Sequence, residues 1–396
     1  MDIGVCLFDD LTQAKGGWAS IAGSSASRIS AITELRTDVI WVTNLDYFSH
    51  RKLNLNRTPN IFDHQYFRSS LKLIASECGL LSSPEALVEF ASSVFNRVTE
   101  IGNKEMGISL DEPSYRYFTS VANAVTPAFM RKRPDCENVI DLMNGIKQAT
   151  QENQAMAGVK AQKGSLIKDF SFPRGAYARW LLTLPYPGSQ GWEEIKKSNS
   201  GSDTIFGIED GVQIRGTSAV LEKLKEWGQH NAVFLRVTVL GMESFYKQFA
   251  SFGVGAKYPR RWAALPEILN MARYCKLSIS GGYMTKLANL DFLSDLDLDS
   301  KEYSYSRGIF LENLWVALAN PINPSGMHTA VGAYMRAYDR VACQRAAETF
   351  AEHEFRIGSF GSGRVMIYLG KQEDAMAKEL SFVTGMNPPM SMISGE

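Results

Sequence analysis

The stretch "MHTAVGAYMRAYDRVACQRAAETF", residues 327 to 350, constrains this chain more than any other. Its apolar and aromatic residues Met327, Val331, Tyr334, Tyr338 and Val341 recur in steps of four and three. That period belongs to an α-helix with one buried side and excludes a strand. The same rule reads "SAVLEKLKEWG" through Val220, Leu221, Leu224 and Trp227, with Gly228 as a stop. It also reads "YSYSRGIFLENLWVAL" through Leu311, Leu314, Trp315 and Leu318. Further helices are predicted over 24–36, 63–78, 84–101, 114–124 and 137–157, the third with Ser83 as N-cap and Pro84 at its first position. Strands are few: "DVIWVTN", "AVFLRVTVL" at 232–240, and a hairpin in "FRIGSFGSGRVMIYL" turning at Gly361 and Gly363. This is less strand than an ordinary soluble domain carries, so the expected fold is mainly α, with two helical lobes, a few short strands and a cleft between the lobes.

A chain of 396 residues is too long for one small core, which is why two lobes are expected. The expected division is an N-terminal arm at 1–23, a first lobe at 24–250, a second lobe at 251–375 and a tail at 376–396. Within the first lobe, 186–217 is rich in Gly and Ser and reads as a long loop. "MDIGVCLF" suits either an arm that adds to a neighbour's sheet or an ordinary first strand. Lys+Arg and Asp+Glu both number 42, so the chain has no global basic field, and any nucleic-acid contact must rest on local clusters. The five cysteines are dispersed with no CxxC pair, which suggests neither a zinc site nor a disulfide framework and fits a reducing compartment. No apolar run approaches the ~18 residues that a membrane span needs, and the start of the chain lacks the pattern of a signal peptide.

Decisive enzyme signatures are missing: there is no P-loop, dinucleotide fingerprint, HExxH, GxSxG or EF-hand loop. The expectation is therefore a chain that is not an enzyme and needs no cofactor or metal. One exception is kept open. "GVCLFDDL" ends an apolar run with Asp9 and Asp10, and Asp46 in "TNLDYF" could add a third carboxylate, the pattern of a metal-dependent nuclease or a polymerase accessory. Adjacent acids on a strand point to opposite faces, so one of the first two at most would face a site. The histidines are dispersed; "EHE" at 352–354 reads as a solvated charge cluster and His328 as a cap or core residue. No nucleophile is nominated.

Basic residues interleaved with aromatics recur instead. "MRKR" holds Arg131, Lys132 and Arg133; "FSFPRGAYARW" holds Arg174, Tyr177, Arg179 and Trp180; "KYPRRWAAL" holds Lys257, Tyr258, Arg260, Arg261 and Trp262; "YSYSRG" holds Tyr303, Tyr305 and Arg307. Arg336 and Arg340 stand one turn apart on the helix face away from the tyrosine stripe, and Arg356 and Arg364 flank the hairpin. Each cluster alone is ordinary surface charge beside a core aromatic. Taken together, arginines suit bidentate phosphate contact and aromatics suit base stacking, so a groove lined by them would hold a single strand without reading its sequence.

Several of these segments resemble nucleoproteins of non-segmented negative-strand RNA viruses. "HNAVFLRVTVLGMESFYKQF" (230–249) is similar to the segment joining the two lobes in the paramyxovirus branch, where a strand-like run precedes a Gly-x-Glu-x-x-Tyr helix. "YSYSRGIFLENLWVAL" resembles the rhabdovirus pattern of Tyr-Ser, a basic residue and a Trp-bearing helix, followed here by the Tyr-rich "GAYMRAYDRVA"; "EFRIGSF" resembles a paramyxovirus "YFRLG" segment. The likeness covers 215–360, and "NPINPSGM" departs from the basic loop that some relatives carry after the Trp helix. The resemblance implies two lobes closing on single-stranded RNA, self-assembly along it into a helical nucleocapsid, phosphoprotein and polymerase partners, no membrane insertion, and residence in the virion and host cytoplasm, with the nucleus also open. It places Tyr246, Arg307 and Arg356 at the RNA. Capsid or coat protein of an RNA virus, and the carboxylate-based nuclease or polymerase accessory, are the alternatives.

Overall fold

The computed structural model describes residues 2–55, 58, 60–62, 71–72, 74–106, 139–150, 155–156, 166–188, 191–196, 203–249, 261–320, 328–370 and 372–386. The chain divides into two compact units. The first comprises Met1–Phe118, Asp295–Asn313 and Pro389–Glu396, and the second Thr119–Ser294 and Leu314–Pro388.

In the first unit the strands are β1 (Ile3–Asp10), β2 (Lys15–Ile21), β3 (Ser27–Ala31), β4 (Ile40–Thr43) and β5 (Ile61–Phe62), with α1 (Tyr47–Lys52) between the last two and α2 (Pro84–Met106) after them. The sheet order is β3-β2-β1-β4-β5, with β1 antiparallel to β2 and parallel to β4. Residues 1–23 thus supply β1 and β2 of the sheet, which answers to the reading as an ordinary first strand. β1 is apolar on both sides: Cys6 and Phe8 enter one core with Trp41, Leu45 and Leu55, while Val5, on the alternate face, is also fully buried. Gly17 is required where β2 crosses β1, because a Cβ there would lie 2.2 Å from the Leu7 carbonyl oxygen. α2 begins at Pro84 as the sequence predicts and locks onto β1 through Asn96, whose amide accepts from Ile3 N at 3.0 Å and donates to Ile3 O at 2.7 Å.

The second unit runs through α3 (Val139–Thr150), β6 (Ala155–Met156), β7 (Leu166–Ser171), α4 (Arg174–Thr183), β8 (Tyr186–Pro187), β9 (Glu193–Ile195), β10 (Thr204–Glu209), β11 (Val212–Gln213), α5 (Thr217–His230), β12 (Asn231–Met242), β13 (Trp262–Ala264), α6 (Leu265–Met271) and β14 (Cys275–Ala288). α7 (Ser304–Ala319) belongs to the first unit through Asn313 and to the second from Leu314. α8 (Ala330–Glu352), β15 (Arg356–Gly361), β16 (Arg364–Leu369) and α9 (Asp374–Val383) complete it. One sheet, ordered β11-β10-β14-β12-β13 with β8 and β9 also on β14, buries Val233, Leu235, Val237 and Leu277 with Leu224 of α5 and Ile268 of α6. The other, ordered β6-β15-β16-β7, buries Phe170, Ile357, Phe360, Val365 and Ile367 with Phe350 of α8 and Leu380 of α9.

Among the described residues the fold is mixed α/β, with sheets of five, seven and four strands, and the expectation of a mainly α protein is corrected. Its cause is identifiable. Residues 24–36, predicted helical, form β3 and a single 3-10 turn, and 186–217, predicted as a loop, carries β8 to β11. These strands are short or exposed, so the alternation that would mark them is weak. The helix over 63–78 falls only partly within the described residues, and that over 114–124 lies outside them. α2, α5, α7, α8, β4, β12 and the β15–β16 hairpin fall where the sequence places them, whereas the helix predicted over 137–157 is α3 at Val139–Thr150, with β6 at Ala155–Met156 inside the predicted span.

Candidate nucleic-acid interface

Three of the arginines expected to line an RNA groove, Arg307, Arg336 and Arg340, are internal. In the first unit Arg307 is 4% exposed; its guanidinium pairs with Glu105 at 2.6 Å and donates to Asp297 O at 2.6 Å. Tyr305 donates to the Glu77 carboxylate at 2.5 Å, and Tyr303 lies under the Arg97 guanidinium, 4.4 Å from its ring centroid. "YSYSRG" is thus a local anchor: each of its three site residues holds a neighbour in its own unit.

In the second unit Arg340 forms a buried two-pronged pair with Glu267 at 2.8 and 3.0 Å and donates to Ala149 O at 2.9 Å. Arg336 is 6% exposed, donates to Ala319 O at the end of α7, and is pushed down to about 10 by burial and by Arg340. The α8 face expected to be exposed is therefore buried, because this helix is surrounded rather than half-covered. Tyr177 is buried and donates to Asp339 at 2.6 Å, and Tyr246 stacks on Tyr274 with centroids 4.2 Å apart. Arg174 is half-buried, Arg179 exposed, and Arg261 exposed with its backbone N–H on Gln148. Arg131, Lys132, Arg133, Lys257, Tyr258 and Arg260 lie outside the described residues. Arg356 and Arg364, on β15 and β16, remain half-exposed on a sheet face.

The carboxylates of the first unit sit in a different setting. β1 leads to β2 on one side, whereas its parallel neighbour β4 leads on to β5 on the other, so the connections diverge between β1 and β4. At such a divergence the crevice outside the carboxyl ends of the strands is the natural ligand position of an open sheet. Asn44 extends the β4 edge by accepting from Phe8 N at 2.9 Å and donating to Phe8 O at 3.0 Å. Asp9 and Asp10 end β1 at this edge, and Asp46 caps α1 by accepting from Ser49 N at 2.7 Å.

The two β1 acids diverge as strand geometry requires. Asp9 pairs with Arg28, both about half exposed, a surface contact that holds its carboxylate weakly. Asp10 accepts from the Thr12 hydroxyl and from the Thr12 and Gln13 N–H groups, and the hydroxyl bond chiefly lowers its pKa. Among the described residues no three His, Cys, Asp or Glu side chains converge as a metal cage. A magnesium ion at this edge would take one or two carboxylates and complete its shell with substrate phosphates and water, as such ions ordinarily do in nucleic-acid enzymes.

Two residues that the sequence reading passed over follow Asp46 directly, at the start of α1. α1 is pinned by buried His50, and its first turn projects Tyr47 and Phe48, which are 49% and 79% exposed. Their rings meet edge-on at 5.9 Å, and Arg51 lies over Tyr47, 5.7 Å from the ring centroid, while donating to its hydroxyl at 3.2 Å. Adjacent aromatics after a predicted strand end are the available signal.

No family model matches the chain, and no curated protein matches it. Among solved structures, Phi29 DNA polymerase with primer-template DNA superposes with a TM-score of 0.44 at 12% identity, covering 95% of this chain and 81% of that one. An orthorhombic crystal form of the same polymerase gives 0.42 at 10%, covering 94% and 81%. Its complex with single-stranded DNA gives 0.37 at 9%, covering 75% and 54%. These are distant likenesses to polymerase chains, not to nucleoproteins. With Arg307 and Arg340 committed to buried pairs, the viral nucleoprotein with its nucleocapsid assembly and virion setting is set aside. The exclusion of an enzyme, drawn from missing motifs, is withdrawn as well. Among the described residues no helix is long and apolar enough to cross a membrane.

Proposed function

We propose that this chain acts on nucleic acid as a protein of the nuclease or polymerase class, and that the crevice between the carboxyl ends of β1 and β4 receives a single strand. The observation that carries this reading is the pair of exposed rings, Tyr47 and Phe48, on the helix that follows β4, whose parallel partner β1 ends in Asp9 and Asp10. An exposed phenylalanine costs solubility and contributes nothing to the core, whereas a base has a face to stack on it. Arg51 adds positive charge at the same turn. Asp9 and Asp10, at the end of the strand paired with β4, would hold a hydrated magnesium ion against a backbone phosphate.

The test is fluorescence anisotropy of a labelled single-stranded oligonucleotide with magnesium present. Stacking is worth about 1–3 kcal/mol per base, so Tyr47→Ala with Phe48→Ala weakens binding roughly 5- to 100-fold. Magnesium-dependent cleavage abolished by Asp10→Asn would add the nuclease activity. Unchanged affinity in the double variant overturns the assignment of the crevice.

A further inference from the structure

We infer that the open face of the four-stranded sheet in the second unit is a separate binding surface for single-stranded nucleic acid. Strand pairing defines this face. Along β16 the residues Val365, Ile367 and Leu369 are buried in the core, so Arg364, Met366 and Tyr368 point the other way. Antiparallel register places Arg356 of β15 directly opposite Tyr368, and Ile167 and Asp169 of β7 opposite Tyr368 and Met366. One face therefore gathers two arginines, a tyrosine, a methionine and a carboxylate on the two central strands and one edge strand. Ile167 is 63% exposed, so the face opens to solvent at the β7 edge.

The Arg356 guanidinium points to a ligand. The Arg356 Nη1 atom is buried and has no hydrogen-bond partner among the described residues, although a guanidinium deprived of water ordinarily finds one. Gly358, at the bulge in β15, lets Met366 and Tyr368 of the neighbouring strand pack directly onto the backbone, since a Cβ there would lie 2.4 Å from Met366 Cε and 3.1 Å from the Tyr368 ring. Antiparallel sheets that carry aromatics on their central strands stack unpaired bases on this kind of surface, and guanidinium groups at its ends take the phosphates. Asp169, beside Arg364, offsets that arginine, so the phosphate falls nearer Arg356.

This surface is independent of the crevice in the first unit, and the experiment separates the two. In the full chain already carrying Tyr47→Ala and Phe48→Ala, an oligonucleotide bearing 5-iodouracil is photocrosslinked and the adducts are mapped by mass spectrometry. Adducts are expected between Arg356 and Leu369. In the same background, Tyr368→Ala is expected to lower oligonucleotide affinity roughly 5- to 100-fold. Arg356→Gln, which keeps the strand and its burial, is expected to reduce the salt slope by about 0.7. Parallel arms with DNA and RNA oligonucleotides report which sugar is preferred. Adducts confined to other peptides, absence of binding in the parent background, or an unchanged salt slope in Arg356→Gln would each overturn the inference.

Discussion

Removing the Arg340 guanidinium tests whether the arginines of α8 hold the fold or hold a ligand. The Arg340 and Glu267 side chains are 3% and 6% exposed, joined by two hydrogen bonds, with a third from Arg340 to Ala149 O. Arg340→Met leaves the Glu267 carboxylate buried without its guanidinium and the Ala149 carbonyl short of a donor. Breaking one side of a buried pair costs about 3–5 kcal/mol, because the remaining charge cannot reach water. For a unit of about 250 residues this is a fall in Tm of roughly 6–20 °C. Calorimetry reads the transition of the second unit directly. Arg340→Met combined with Glu267→Leu removes the stranded charge and restores most of the loss, since apolar replacement of both partners is close to neutral. A single variant that unfolds within 1 kcal/mol of the parent yet loses oligonucleotide binding would refute the structural role, and with it the correction made to the sequence reading.

Two smaller perturbations probe the same unit. Tyr334 donates its hydroxyl to Val233 O at 3.0 Å and accepts from Val233 N, so Tyr334→Phe strands a buried N–H and is expected to cost about 1–3 kcal/mol by urea denaturation. His328 has its pKa lowered from 6.5, first by burial and then by Arg336 and Lys147. The unfolded chain therefore binds the proton more readily, and stability falls as pH drops below 6.5 toward the folded value. His328→Gln flattens that dependence in urea midpoints measured at pH 7.5 and pH 5; a slope identical to the parent's would show that the histidine is solvated.

Much of the helical framework was legible because its signal is local. Pro84 opens α2, Gly228 lies at the last turn of α5, and the four-and-three spacing from Val331 to Val341 marks α8, each set by backbone geometry and a nearby buried face. The β15–β16 hairpin was legible for the same reason: Ser362 and Gly363 take positive φ in a turn between alternating strands. The acids at the end of β1 and the aromatic start of α1 were visible as residues, but nothing in their spacing says that β4 lies beside β1. Period-two alternation in "RVMIYL" could have placed Arg364, Met366 and Tyr368 together; Arg356 joins them only through pairing across the hairpin.

By itself, the sequence determined the long helices, the hairpin and the lack of any global basic field, since these follow from neighbouring side chains and summed charge. The tertiary structure decided which arginines meet water. Arg307 and Arg340 look in the sequence like Arg356, but each finds a carboxylate, Glu105 or Glu267, more than 70 residues away in the chain and is buried with it. A side chain's charge is set by its chemistry, whereas its freedom to bind a phosphate depends on whether a distant strand or helix has already supplied the counter-charge.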